Sequence, residues 1–183
     1  MFGGSFDPFH LGHFLIGRTA WESLRLDKVV YLPCAHSPLK SLQPKASAKD
    51  RLSWLKKGLL GQKWAQVSDW EIKRSGVSYS VDTAAYWKRE VPHGALFWIM
   101  GSDQWSALPQ WKDFRRLARW VHFLVFPRPE TPRPRRGIRM TILPVRFDLS
   151  STEIRQRVMR GLSIRGLVLE DLEKCICESR SYR

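Results

Sequence analysis

The stretch that decides the reading of this chain is Gly3-Gly4-Ser5-Phe6-Asp7-Pro8-Phe9-His10-Leu11-Gly12-His13, which runs into the apolar-periodic segment Phe14, Leu15, Trp21 and Leu24. Two glycines and a proline mark a turn, and the periodicity behind it predicts a helix. A glycine turn opening a helix lets the backbone approach an anion, and the helix start offers unpaired N–H groups and the positive end of a dipole. His10 and His13 are three positions apart, so at a helix start they share a face. Two imidazoles aimed at one point can hydrogen-bond phosphate oxygens and stabilise charge on a leaving group. A metal pair and surface histidines with no role are the competing readings; a metal pair needs further ligands, and the sequence has no H-E-x-x-H pattern. No metal ligands are assigned.

Outward from this stretch, strands alternate with helices. Lys28–Leu32, Ala95–Met100, Val121–Phe126 and Ile138–Val145 read as apolar strands, with a further short strand and its flank over Trp64–Ile72. Helices are expected over Ala48–Leu60, Ser80–Arg89, Lys112–Arg119, Ser150–Arg160 and Leu169–Cys177, and residues 33–46, with three prolines, form a loop. The basic, proline-rich run Pro127–Gly137 is a surface loop. Continuous apolar strands without hairpin signals imply a parallel sheet covered on both faces. The expected fold is α/β, a doubly wound Rossmann-like domain with a mostly parallel sheet flanked by helices, occupying 1–183 as a single domain, with ligands at the carboxyl ends of the strands. Only Met1 and Phe2 precede the glycine turn, so the first strand is either stunted or begins upstream of this sequence.

The 183 residues suit one domain with a real core, and 43% hydrophobic with 26% charged residues is ordinary for a globular protein. No apolar run reaches the roughly 20 residues of a bilayer span and no signal peptide opens the chain, so a cytoplasmic protein without membrane attachment is expected. Cys34, Cys175 and Cys177 make no disulfide framework and no zinc site. The net charge of +14 favours polyanionic ligands without choosing among nucleic acid, acidic membranes and nucleotide phosphates. No helix-turn-helix, zinc-finger or RNP pattern supports a specific nucleic-acid partner. Nothing in the sequence sets the oligomeric state.

A second segment, Leu149-Ser150-Ser151-Thr152-Glu153-Ile154-Arg155, places hydroxyls at a helix start, where they cap N–H groups, and an arginine one turn on at the same end. A plain capping box gives the same pattern. Together, the two segments resemble the paired motifs of the HxGH nucleotidyltransferases, which transfer a nucleotidyl group from a nucleoside triphosphate to a phosphate. Within that superfamily, Glu71–Thr83 (EIKRSGVSYSVDT), then Gly101-Ser102-Asp103 and Pro109-Gln110-Trp111, are similar to the corresponding segments of nicotinate mononucleotide adenylyltransferases. The resemblance runs from Gly3 to Arg157. Phosphopantetheine adenylyltransferases share the two end motifs but not the SYSVDT and PxW segments.

The resemblance implies adenylyl transfer from ATP to nicotinate mononucleotide, a step of NAD biosynthesis. It implies His10, His13, Lys40 and Arg155 as catalytic residues. ATP would be held by Gly3, Gly4, Ser5, Phe6, Asp7, His10, His13, Gly101, Asp103, Ser151, Thr152 and Arg155. Nicotinate mononucleotide would be held by Ser80, Thr83, Trp111 and Arg128, with Trp111 stacking on the pyridine. Mg²⁺ would be carried mainly by the ATP phosphates. Ser5 and Ser80 stand where the family usually has threonine, and Cys34-Ala35-His36 replaces its Asn and paired P-P-H.

Overall fold

The six strands of the computed structural model, which describes residues 1–38, 43–128 and 130–182, form one sheet in which every pairing is parallel. They are β1 (Phe2–Gly4), β2 (Val29–Pro33), β3 (Ala65–Val67), β4 (Leu96–Gly101), β5 (Val121–Phe126) and β6 (Met140–Ile142), in the spatial order β3-β2-β1-β4-β5-β6. The chain winds outward in one direction from β1 to β3, then returns to the other side for β4 to β6. The strand order therefore reverses between β1 and β4, where Phe2 pairs with both Tyr31 and Ile99. A crevice opens at the carboxyl ends of two strands at such a reversal.

Alternation along the strands divides the core between the two faces. Val29, Tyr31, Ile99 and Leu124 pack on one side, and Val30, Leu32, Trp98, Met100, Phe123 and Val125 on the other. Both faces are covered, which is why these strands read as continuous apolar runs rather than as alternating ones. The helices are α1 (Leu11–Leu24), α2 (Ala48–Gly58), α3 (Trp70–Arg74), α4 (Ser80–Glu90), α5 (Ser102–Ala107), α6 (Phe114–Trp120), α7 (Ser151–Met159) and α8 (Glu170–Glu178), with a 3₁₀ turn at Leu108–Gln110. The expected Ser150 cap forms: its hydroxyl accepts from the N–H of Glu153 at 3.2 Å. Among the described residues, no helix is long and apolar enough to cross a membrane.

Two expectations change, and one segment that carried no reading takes a definite form. Gly3 and Gly4 do not form a turn; they belong to β1, which is only three residues long yet pairs on both edges. A Cβ on Gly3 would lie 3.3 Å from the Trp98 ring, and one on Gly4 would lie 3.2 Å from the Phe6 ring. These glycines therefore serve close packing at the crevice floor. In the stretch Trp64–Ile72, read as a short strand with its flank, the strand is Ala65–Val67 and the flank turns helical, with Ile72 in α3. The segment after Gly101 is a short helix, α5, because Gly101 acts as its N-cap and the backbone turns directly off β4.

Candidate active site

His10 is the N-cap of α1, and its Nδ1 accepts from the backbone N–H of His13 at 3.3 Å. That bond leaves Nε2 as the protonated nitrogen of a neutral ring. The ring is 4% exposed, and burial together with the positive charge of Arg128 pushes its pKa down to about 3. His10 is therefore a neutral N–H donor. The two imidazoles stack with centroids 3.6 Å apart, and His13 also packs on Phe2, Phe6 and Phe9. Gly12 allows this arrangement, since a Cβ there would lie 3.1 Å from the His10 ring.

The start of α7 meets the motif turn directly. The Ser151 hydroxyl donates to the carbonyl of Pro8 at 3.0 Å. Arg155 donates to the carbonyl of Asp7 at 2.8 Å and to the Thr152 hydroxyl at 2.9 Å. From the other side, Arg51 of α2, 2% exposed, donates to the carbonyl of Ser5 at 2.7 Å. Segments more than 140 positions apart are thus joined by backbone carbonyls that the turn cannot satisfy internally.

A cavity of about 440 Å³ extends from Gly3, Gly4 and Ser5 to Ser80, Asp103 and Trp111. Its apolar wall is Trp98, set edge-on to Trp111 at 6.1 Å between centroids. A second cavity, of about 560 Å³, lies beside it and shares Asp103; it is lined by Ser102, Arg128 and the basic loop up to Arg135. That loop is fixed to α5 by the Trp105 indole, which donates to the carbonyl of Arg133 at 2.9 Å.

Several expected site residues have other places. Phe6 is 2% exposed and its ring is packed among Phe2, Phe9, His13 and Tyr31. Asp7 is 5% exposed, and its carboxylate turns inward to accept the N–H groups of Lys45 and Ala46. Thr83 is fully buried, off the cavity, and its hydroxyl donates to Glu71 Oε1 at 2.6 Å. Arg128 lines the second cavity, not the one containing Trp111. His10, His13, Gly101, Ser151, Thr152 and Arg155 line neither cavity. Lys40 lies outside the described residues.

The cavity also uses residues that sequence reasoning did not assign. Glu71 lines it, with a carboxyl pKa raised by burial against the opposing hydrogen bonds from Thr83 and Ser78. Tyr79 and Lys112 line it together, the Lys112 ammonium lying 4.4 Å from the centre of the Tyr79 ring. Glu71 and Tyr79 stood inside a recognised motif, and Lys112 beside Trp111; Trp98 had no signal beyond its apolar strand. No group of three or more His, Cys, Asp or Glu side chains able to hold a metal occurs among the described residues, and no cysteine forms a disulfide.

Comparison with known proteins agrees with this geometry. The family model described as cytidylyltransferase-like matches residues 1–157. A protein named "Probable nicotinate-nucleotide adenylyltransferase" from Methylacidiphilum infernorum (isolate V4) is 38% identical over 100% of this chain and 90% of its own length. One with the same name from Opitutus terrae is 37% identical over 99% and 95%. The solved structure of Plasmodium falciparum nicotinic acid mononucleotide adenylyltransferase complexed with APC superposes with a TM-score of 0.79 at 17% identity, over 99% of this chain and 94% of that one. At that identity the superposition speaks for the fold, while the matched motifs and full-length relatives speak for descent. The chain belongs to the cytidylyltransferase-like family, and within it to the nicotinate-nucleotide adenylyltransferases.

Proposed function

We propose that the protein transfers the adenylyl group of ATP to the 5′-phosphate of nicotinate mononucleotide, giving nicotinate adenine dinucleotide and pyrophosphate. The observation that carries this reading is the junction of the motif turn with α7, where Arg155 and Ser151 bond the carbonyls of Asp7 and Pro8. It supports one phosphate site built from His10, His13, Ser151, Thr152 and Arg155.

The acceptor lies in the cavity with its pyridine against Trp111 and its phosphate toward Gly4 and Ser5. Ser80, at the start of α4, faces it with a hydroxyl and a helix N-terminus. ATP lies along the motif turn, with its ribose toward Asp103 and Gly101 and its phosphates between the histidines and α7. An acceptor phosphate oxygen forms the new bond to the α-phosphorus as the bond from that phosphorus to the bridging oxygen breaks. Pyrophosphate carries away the electron pair. No protein nucleophile takes part, so the chain contributes position and charge neutralisation. The neutral His10, with its proton on Nε2, donates a hydrogen bond to phosphate oxygen without having to lose a proton first. Asp7 serves by fixing the turn rather than by touching ATP. Lys40 is retained as a phosphate partner on the motif alone.

With no cluster of ligating side chains among the described residues, the chain suits Mg²⁺ held by the triphosphate and water. When bound, the cation neutralises charge on the phosphates.

The test is pyrophosphate release from ATP with Mg²⁺ and each acceptor supplied singly. Release with nicotinate mononucleotide and none with phosphopantetheine is the expected result. The reverse outcome overturns the proposal.

A further inference from the structure

The side chain that closes the motif turn from below comes from the far end of the sequence. Tyr182 follows α8, is 1% exposed and rests its ring on Trp54 with centroids 6.0 Å apart. Its hydroxyl donates to Asp7 Oδ1 at 2.7 Å. The same oxygen accepts the N–H of Ala46 at 3.0 Å, and Oδ2 accepts the N–H of Lys45 at 2.9 Å. The carboxylate is thus held by three neutral donors.

Arg155 stands next to this group without closing on it. Its Nη1 lies 3.8 Å from Asp7 Oδ2, beyond hydrogen-bonding distance, while the guanidinium donates instead to the Asp7 carbonyl and to Thr152. A carboxylate and a guanidinium that meet edge to edge form a two-point, charge-assisted pair, stronger than bonds between neutral groups. Here the two groups form a loose ion pair at 3.8 Å, and the two-point contact is not made. Geometry gives the reason: Oδ2 has room for a second donor, but Oδ1 already accepts from both Tyr182 and Ala46, so a two-point pair has no acceptor site on its second oxygen.

We propose that Tyr182 is a positioning residue for adenylyl transfer, occupying Asp7 Oδ1 so that the guanidinium of Arg155 stays turned toward the triphosphate instead of closing on the carboxylate. This rests on the reading that Arg155 faces ATP. Removing the hydroxyl while keeping the ring leaves a buried carboxylate oxygen short of a donor, and the nearest cation able to supply one is Arg155. Its closure on Asp7 takes a phosphate partner from ATP. Nicotinate mononucleotide, bound across the cavity against Trp111, is unaffected.

The test is a steady-state comparison of wild type, Tyr182→Phe, Arg155→Met and the double variant, with each substrate varied in turn. Tyr182→Phe should raise KM for ATP about three- to tenfold, the scale of one buried hydrogen bond, and leave KM for the acceptor within about twofold. In the Arg155→Met background it should add almost nothing, because the two residues act through one contact. Independent, multiplying effects overturn the proposal, as does an equal rise in both KM values. Calorimetric titration of ATP, normalised to the folded fraction by circular dichroism, gives the same comparison should Tyr182→Phe fold incompletely. If Arg155→Met leaves KM for ATP unchanged, the assignment of α7 to the ATP site fails and takes this proposal with it; multiplying effects leave that assignment standing.

Discussion

The rings of His10 and His13 stack at 3.6 Å, and the backbone N–H of His13 donates to Nδ1 of His10, so one histidine fixes the tautomer of the other. A single helix start thereby presents a neutral N–H donor whose direction is set before any ligand binds. His10→Ala and His13→Ala should each lower kcat by about a hundredfold or more, the scale of one lost donor to transition-state charge. Near-normal kcat for His13→Ala would remove the assignment.

Burial of His10 also makes stability depend on pH in one direction. The ring titrates near 6.5 when exposed and about 3 when folded, so between these values the unfolded chain binds the proton and the native one does not. Native stability should fall as pH drops through that window, by at most about 1.4 kcal/mol per pH unit from this group, and His10 should cause no change above it. Urea titrations of wild type and His10→Asn between pH 4 and 8 (a range of about four units) check this: the variant should show the shallower loss. Equal slopes would dismiss the buried neutral ring as their source.

Thr83 and Glu71 form a pair, 2.6 Å apart and both buried, in which Glu71 lines the cavity that contains Trp111 and Thr83 backs it. Thr83→Val keeps the shape but leaves the carboxyl one donor short, costing about 1–3 kcal/mol of stability. The loosened Glu71 wall should raise KM for the acceptor more than KM for ATP. Thermal melting and separate KM values test the two parts.

Much of this site was legible in the residues, and the limits follow from physics. Strands β2, β4 and β5 could be read because burial on both faces leaves long apolar runs, and α7 because Ser150 caps it. Gly3 and Gly4 were misread as a turn because glycine allows a turn and a close approach alike; the Trp98 and Phe6 rings that demand the second are distant in sequence or hidden in a motif. Thr83 shares its segment with residues that do face the cavity. Its position in α4 turns it inward, which no motif states.

Lys112 is the only cation lining the first cavity among the described residues, and it sits beside Trp111 and over Tyr79. A positive charge there favours a pyridine carboxylate over the carboxamide. Lys112→Met should reduce kcat/KM for nicotinate mononucleotide about fivefold, as expected for a solvent-exposed ion pair, with little effect on the nicotinamide analogue. Lys112→Arg should restore most of the difference. A parallel loss with both acceptors would mean that the charge does not read this group.

Arg128 carries the last prediction, since it lines the second cavity rather than the one containing Trp111. Its backbone is pinned at both polar atoms: the Ser102 hydroxyl donates to its carbonyl at 2.8 Å and accepts from its N–H at 2.7 Å. The side chain lines the second cavity with Asp103, and its charge helps hold His10 neutral. Under the proposed function, a guanidinium so placed serves ATP together with His10. Arg128→Ala should therefore raise KM for ATP about tenfold, as for a lost hydrogen bond to a charged group, with KM for the acceptor nearly unchanged. It should also let the His10 pKa rise from about 3 toward its ordinary value, because one of the two causes of its depression is gone. Histidine NMR titration of the ligand-free variant reads the second effect independently of turnover. A rise in acceptor KM with no movement of the His10 resonance would return Arg128 to the other substrate.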